Sequence, residues 1–186
     1  AYDGANHLSI GQVVVDEKSN EITAIPRLLR MIDIRKGIVT IDAMGTQTDI
    51  VDEIIKGKGD YCLAVKGNQT TLLEDITLYF SDAKLLEKLK QKGQHYQTVE
   101  KARSQIEKRD YWVSYDVKWL SESHPKWQKL RGIGMTKNTI DKDGVLTEEV
   151  RYFIISFKKD IETFTRCVRG HWSVESMHWL LDVVYR

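Results

Sequence analysis

The sequence predicts an α/β protein in which helices connect the strands of one sheet. Three observations support this class: short apolar strands alternate with helical patterns over residues 8–65, one β-branched run ends at the single acid Asp42, and from His95 onward aromatic and β-branched residues alternate with charges. Strand–helix–strand alternation is typical of a sheet with crossover helices, and the alternation from His95 indicates an inserted β region.

Composition limits the classes of protein to which this chain can belong. Its 186 residues are 41% hydrophobic and 30% charged, which is typical of a globular protein with a sizeable core, arranged as one large domain or as one domain with an insertion. The formal net charge of +1 is too balanced to indicate a nucleic-acid partner by itself. Only local clusters of basic residues could indicate such a partner.

The cysteines and the apolar runs point to a cellular compartment. Cys62 and Cys167 lie far apart and fit neither a metal-binding pair nor a disulfide framework, which favours a reducing cytoplasm. No apolar run has the length of a membrane span, and the N-terminus lacks the features of a signal peptide. The chain starts at Ala1 without an initiator methionine and stops at Arg186 directly after an apolar helical pattern, so we expect a fragment.

The elements before residue 95 follow from apolar spacing and from turn residues. In order, we predict a strand at Leu8–Val15, a helix with apolar residues from Ile22 to Ile32 and Pro26 in its first turn, a strand at Ile38–Ile41, a helix at Asp49–Lys56, a strand at Asp60–Val65, and helices at Leu72–Phe80 and Ala83–Leu89.

The strand that ends at Asp42 is the most informative of these elements. Ile38–Ile41 is entirely β-branched and lies between Gly37 and Gly45, as expected for a short interior strand. Ligands of open α/β sheets bind beyond the carboxyl ends of the strands, where Asp42 should lie. From this stretch alone, an equally good interpretation is that Asp42 only caps the next helix.

A second polar stretch follows the strand Asp60–Val65. Lys66 to Gln69 reads KGNQ and includes Asn68, so a basic residue, a glycine and two amides lie at the same sheet edge. Such a loop could contact phosphate or an acidic site. The alternative is an ordinary Gly-Asn turn.

The predicted β region mixes cations with aromatic rings. Its four strands are Tyr96–Lys101, Ile106–Tyr115, Trp127–Met135 and Glu148–Phe157, the last two joined by a hairpin with Asp-Gly. Lys108 and Arg109 lie near Trp112, a mixture that suits a groove for nucleic acid. Alternating strands with one charged face would produce the same mixture without any function.

The C-terminal segment contains the other candidate acid. We predict a short helix at Asp160–Arg169 that breaks at Gly170, followed by a second helix. In that second helix His171, Glu175, His178 and Asp182 are spaced by four, three and four residues, which places them on one stripe. A carboxylate on a mostly apolar helix is costly unless it is paired or binds metal, so Glu175 is a candidate functional acid. Alternatively, it forms a cap or a salt bridge.

Four segments together resemble one protein family. KSNEITAIP at Lys18–Pro26, VTIDAMG at Val39–Gly45, DYCLAVKGNQ at Asp60–Gln69, and HWSVES with HWLLDV between His171 and Val183 resemble bacterial insertion-sequence transposases of the Asp-Asp-Glu (DDE) type. The nearest group is that of the H-repeat-associated transposases. The resemblance runs from about Leu8 to the C-terminus, in the same order and with similar gaps.

The resemblance implies a fold, a reaction and a set of site residues. The fold would be a ribonuclease-H-like mixed sheet with flanking helices, interrupted by a β-rich insertion before the last catalytic helix. The reaction would be metal-dependent cleavage and joining of DNA at transposon ends, by an enzyme that is a dimer or higher oligomer on DNA in the bacterial cytoplasm. Asp42 would be the second catalytic aspartate and Glu175 the catalytic glutamate, and both would bind metal.

The chemistry of this reaction agrees with that assignment. Two Mg²⁺ ions (or Mn²⁺) about 3.5 to 4 Å apart activate the attacking oxygen and stabilise the leaving oxygen, and carboxylates from separate elements must converge to hold them. His171 and His178 would orient Glu175 or meet a DNA phosphate. As DNA contacts we therefore name Lys66, Asn68, Gln69, Lys108, Arg109, His171 and His178.

The sequence also departs from the family pattern. The first catalytic aspartate belongs to an upstream strand reading roughly Ile-Asp-Gly-Lys, which this chain does not contain, and Asp3 does not replace it. The family has an arginine four residues before the glutamate and a lysine seven after it, where this chain has His171 and Asp182. The His-Gly-Arg-Ile-Glu of the insertion is RSQIE here, at Arg103–Glu107.

These observations predict a division of the chain and leave three functions open. Residues 1–92 would form the N-terminal part of the core, 93–157 the β-rich insertion, and 158–186 the C-terminal helix region. The first function is the catalytic core of a DDE transposase, inactive as this fragment alone. The second is a degenerate or domesticated remnant that binds DNA or protein without catalysis. The third is a metallohydrolase or oxidase that uses His171, Glu175 and His178.

Overall fold

The structure is a computed structural model that describes residues 1–3, 8–13, 21–102 and 105–171. Its strands are β1 (Tyr2–Asp3), β2 (Leu8–Ser9), β3 (Ile38–Ile41), β4 (Asp60–Val65), β5 (His95–Ala102), β6 (Gln105–Ser114), β7 (Gly132–Lys142) and β8 (Val145–Ile155). Its helices are α1 (Glu21–Met31), α2 (Thr48–Lys56), α3 (Thr70–Phe80), α4 (Ala83–Gln91), α5 (Lys118–Ser123) and α6, described over residues 161–171.

One six-stranded sheet organises the molecule, in the order β3-β4-β8-β7-β6-β5. β3 and β4 run parallel, with Thr40 opposite Cys62, and every other neighbouring pair in this sheet is antiparallel. This confirms the predicted α/β class with a mixed sheet and flanking helices, and it is consistent with a ribonuclease-H-like fold. The strands within residues 93–157 extend the same sheet, because β8 pairs directly with β4.

Alternation along the strands gives the sheet two apolar faces. In β4, Tyr61, Leu63 and Val65 point into a core formed with α1 to α5, whereas Cys62 points to the opposite face. That opposite face is covered by α6, which contributes Ile161, Phe164 and Val168 to a second core. Within the part of the chain that the structure describes, the sheet therefore lies between the layer of α1 to α5 and α6. None of the described helices has the length and apolar composition of a membrane span.

The position of α6 on the sheet depends on the close contact between Phe164 and Gly134 of β7. Phe164 is fully buried, and its ring makes an edge-on contact with Phe153 at a centroid distance of 5.6 Å. A side chain on Gly134 of β7 would collide with the Phe164 ring. The glycine therefore makes the depression in the sheet that receives Phe164.

The hairpin between β7 and β8 confirms the prediction made from its Asp-Gly. Asp143 and Gly144 both have positive φ, of 54° and 83°. Two consecutive residues with positive φ are the signature of a type I′ turn, whose twist matches that of antiparallel strands.

Several predicted boundaries are wrong, for local reasons. Pro26 lies in the interior of α1 rather than in its first turn, because the helix already begins at Glu21. There Pro26 cannot donate the helical hydrogen bond. The helix predicted to break at Gly170 continues to His171, since a glycine weakens a helix without ending it.

Two predicted strands have different bounds in the structure. β2 covers only Leu8–Ser9 of Leu8–Val15; residues 11–13 form no strand, and the last two residues of that prediction lie outside the described residues. The strand predicted from Trp127 begins at Gly132, because Lys129 has a φ of 53° and the Leu130 amide donates to the Trp127 carbonyl in a turn. The short helix α5 was not predicted.

The packing of Phe164 against Gly134 predicts that two glycine substitutions differ in their effect on stability. Gly134→Ala should lower the free energy of unfolding by about 1 to 3 kcal/mol, because the methyl group must displace the Phe164 ring. Gly170→Ala is the matched control, because no described atom lies within 4 Å of its added Cβ. It should be neutral or raise the free energy of unfolding by up to about 1 kcal/mol. Urea denaturation measures both, and equal effects would contradict the proposed docking of α6.

Candidate active site

Asp42 lies directly beyond the carboxyl end of β3. After Asp42 the chain turns into a short 3₁₀ helix, Ala43–Gly45, and a side chain on Gly45 would collide with Ile41. The Oδ1 atom of Asp42 accepts a hydrogen bond of 2.6 Å from the Ala43 amide, so the residue does cap a helix, although a very short one. Asp42 is nevertheless exposed, and within the described residues its Oδ2 has no protein partner.

The loop after β4 supports the loop that carries Asp42. Asn68 donates to the Ala43 carbonyl at 2.9 Å, and Gln69 donates to the Thr46 carbonyl at 3.0 Å. In return, the Thr46 hydroxyl donates to the Ala64 carbonyl at 2.6 Å. The KGNQ stretch thus forms a short 3₁₀ helix, Gly67–Gln69, whose amides hold the Asp42 loop in place. A role of Asn68 and Gln69 in DNA contact stays a prediction.

A cavity of about 510 Å³ brings several predicted residues together. Asp42 and Lys66 line it from the sheet edge, and His171 lines it from α6. Arg151 of β8 lines the same cavity. An acid and groups that can carry positive charge therefore share one concave site at the carboxyl ends of the parallel strands.

A second cavity, of about 360 Å³, adjoins the first and shares Glu149, Arg151 and Val168 with it. It adds Arg109 and Arg169. These arginines are held by carboxylates in four ion pairs: Arg109 with Glu107 at 2.6 Å and with Glu100 at 3.1 Å, Arg169 with Glu100 at 3.2 Å, and Arg151 with Glu149 at 2.8 Å. A lining of arginines paired with carboxylates thus continues from Asp42 along the α6 face of the sheet.

Lys108 lies apart from this site. It directly precedes Arg109 on β6, so its side chain is on the opposite face of the sheet, where it pairs with Asp110 at 3.4 Å. Burial raises the pKa of Asp110, but hydrogen bonds from Gln97 and His95, together with the charge of Lys108, outweigh it and bring the pKa below its usual value. The structure therefore separates Lys108 from Asp42.

The remaining predicted residues, Glu175 and His178, lie outside the described residues. Among the residues that are described, no three His, Cys, Asp or Glu side chains gather as metal ligands. The exposed carboxylate of Asp42 has the oxygen donors that Mg²⁺ prefers, but it supplies only one ligand.

Sequence reasoning missed Arg151. Glu149, Arg151, Phe153 and Ile155 alternate along β8, and the last two belong to the core beneath α6. The period of two could have placed Arg151 on the α6 face once Phe153 was recognised as buried. What the period could not show is that β8 lies beside β4 and so brings Arg151 to Asp42.

The hydrogen bonds that support the Asp42 loop predict that substitutions at Asn68 and Lys66 change the free energy of unfolding by different amounts. Asn68→Ala should lower the free energy of unfolding by about 1 kcal/mol, because the Ala43 carbonyl loses the donor that links it to the loop after β4 and keeps only the Thr46 amide. Lys66→Ala removes an exposed side chain and should change stability by less than about 0.5 kcal/mol. Chemical denaturation of both variants checks this, and an unaltered Asn68→Ala protein would exclude the supporting role.

Comparison with known proteins matches residues 1–186 to the family described as "Transposase DDE domain". The chain is 38% identical over 192 residues to the H repeat-associated putative transposase YhhI of Escherichia coli K12, covering 99% of this chain and 49% of that protein. It is 36% identical over 187 residues to the putative transposase YncI of Escherichia coli O157:H7, covering 98% of this chain and 47% of that protein.

A further relative matches a shorter stretch more closely. The H repeat-associated putative transposase YbfD of Escherichia coli K12 is 56% identical over 72 residues, which cover 39% of this chain and 28% of that protein. The chain thus spans about half the length of the two relatives that it matches over nearly its whole length. No solved structure shows a significant match.

Proposed function

Because the chain belongs to the transposase DDE domain family, we propose that it is part of the catalytic core of an enzyme that cuts and joins DNA at transposon ends. The observation that carries this proposal is the position of Asp42. It is an exposed acid at the carboxyl end of a parallel strand, within a cavity lined by Lys66, Arg151 and His171. Residues 93–157 would form the insertion, which extends the core sheet, and the protein would act in the cytoplasm as an oligomer on DNA.

The proposed cofactor is Mg²⁺ or Mn²⁺, held by Asp42 and Glu175 together with an aspartate from elsewhere. When bound, such ions activate the attacking oxygen and stabilise the leaving one. In this chain Asn68 and Gln69 hold the loop on which the Asp42 carboxylate is displayed. Lys66 and His171, at the walls of the cavity, would bind the phosphate backbone.

The source of the missing aspartate is an upstream strand. β3 is at one end of the six-stranded sheet, and among the described strands it pairs only with β4. Its four β-branched residues suit an interior strand better than an edge. We therefore place the family's first catalytic aspartate on a strand that pairs with the outer edge of β3 in the complete enzyme.

The path of the DNA follows a basic groove, defined here as the two adjoining cavities with Lys66, Arg109, Arg151 and Arg169. Arg109 and Arg151 are already oriented by carboxylates. A guanidinium has five N–H donors, so an arginine in an ion pair can still donate to a phosphate.

A cleavage assay on the full-length parent tests the catalytic assignment. Asp42→Ala and Glu175→Ala should each reduce Mg²⁺-dependent cleavage of transposon-end DNA to background, because each removes a metal ligand. Lys118→Ala, a change at an exposed residue of α5 on the other side of the sheet, is the control and should cleave like the wild type. Unchanged cleavage by either acid variant would refute the assignment.

Salt-dependent DNA binding tests the basic groove. Arg151→Gln should weaken binding of this chain to a DNA duplex about three- to tenfold and reduce the slope of log K against log salt by about 0.9, the effect of one lost phosphate contact. Lys118→Gln should leave both quantities unchanged. If both variants bind alike, the DNA does not follow this groove.

The remnant hypothesis has one observation in its favour. Glu107, one of the two residues retained from the family's insertion motif, is bound within the chain by Arg109 and by Asn138, whose side-chain nitrogen donates to it at 2.8 Å. A parent protein that binds DNA through the basic groove but does not cleave it with Mg²⁺ or Mn²⁺ would be such a remnant.

A further inference from the structure

The fold brings together two cysteines that are far apart in the sequence. Cys62 belongs to β4 and is 3% exposed, and Cys167 belongs to α6 and is partly exposed. Cys167 packs against the buried apolar cluster that contains Cys62, and both residues line the cavity that contains Asp42. Both are free thiols in this structure.

The two cysteines are brought together by the way α6 packs on the sheet. Phe164, held in the depression at Gly134, lies three residues before Cys167, so both side chains point from the same face of α6 toward the sheet. On the sheet, Cys62 is opposite Thr40 of β3 and Ile155 of β8, so it lies on an interior strand, on the face that α6 covers.

The two thiols differ in pKa and in exposure. The hydrogen bond to Cys167, and then burial, raise the pKa of the Cys62 thiol. The same hydrogen bond lowers the pKa of Cys167 despite partial burial, and the charges of Arg166 and Lys159 act in the same direction. Cys167, which is also the more exposed of the two, is therefore the sulfur that forms a thiolate more readily.

We propose that Cys62 and Cys167 are a reversible oxidation site that forms a disulfide between β4 and α6. With hydrogen peroxide as oxidant, the Cys167 thiolate attacks one peroxide oxygen, forms sulfenic acid and releases hydroxide. The Cys62 sulfur then attacks the Cys167 sulfur, the S–O bond breaks, and the hydroxyl leaves as water with the proton of the Cys62 thiol. Two thiols are thereby oxidised to one disulfide, while peroxide is reduced to two molecules of water.

The disulfide would link α6, which forms one wall of the Asp42 cavity, covalently to β4. α6 contributes Val168 and His171 to that wall, and β4 contributes Ala64 and Val65 to its floor. A covalent bond between the two elements prevents α6 from lifting off the sheet. This site does not depend on the transposase proposal, because it involves only the two sulfurs and the elements that carry them.

The test is oxidation of the folded chain with hydrogen peroxide, followed by mass spectrometry. We expect a loss of about 2 Da, a Cys62–Cys167 cross-linked peptide after digestion, and full reversal by dithiothreitol. The oxidised chain should also have a midpoint of thermal unfolding about 5 °C or more above that of the reduced chain. A dimer linked through Cys167, or sulfinic acid on Cys167 with Cys62 still reduced, would overturn the proposal.

Single-cysteine variants separate the two roles. In Cys62→Ala, peroxide should convert Cys167 to sulfenic and then sulfinic acid, because the second thiol is missing. In Cys167→Ser, Cys62 should stay reduced, because it is buried. Alkylation by iodoacetamide should modify Cys167 about tenfold faster than Cys62 in the folded wild type. Equal alkylation rates in the folded protein would contradict the assignment of Cys167 as the attacking sulfur.

Discussion

Phe164 can reach the sheet only because β7 has no side chain at residue 134, and much of the site depends on this contact. The ring is fully buried against Gly134 and Phe153, and it fixes both the height and the rotation of α6. The residues that follow on the same helix, Cys167, Val168 and His171, therefore form one wall of the cavity beside Asp42. An apolar contact between one helix and the sheet determines where polar side chains meet.

The opposite wall of the cavity, which carries Asp42, is held in place by hydrogen bonds. A single exposed carboxylate at the end of a four-residue strand would be poorly positioned if its loop moved freely. The side chains of Asn68 and Gln69 bind carbonyls of that loop, and the Thr46 hydroxyl binds the end of β4. These bonds tie the ends of two parallel strands together. Amides that could have been assigned to substrate binding thus have an evident structural function.

Much of the fold could be predicted from local patterns, and the failures have physical causes. β3, β4 and the β7–β8 hairpin follow from β-branched runs and from Asp-Gly, which are local signals. The pairing of β4 with β8 joins distant parts of the sequence, so no local pattern predicts it. The proximity of Arg151 to Asp42 and that of Cys62 to Cys167 therefore required the structure. Asp42 could be selected as a candidate because strand, acid and family motif coincide in one short stretch, and its catalytic role stays a prediction. Glu175, the other candidate acid, lies outside the described residues.

The pairing of β8 with β4 has a kinetic consequence. The Tyr61 amide donates to the Ser156 hydroxyl across a sequence separation of 95 residues, and the pairing of β4 with β8 joins the first half of the chain to its second half. Contacts of such long range require closure of a large loop before they contribute any stability, which slows folding. Until β8 arrives, β4 has an open edge on that side. The newly made chain should then be most vulnerable to aggregation, and help from a chaperone would matter most before Ile155 has been synthesised.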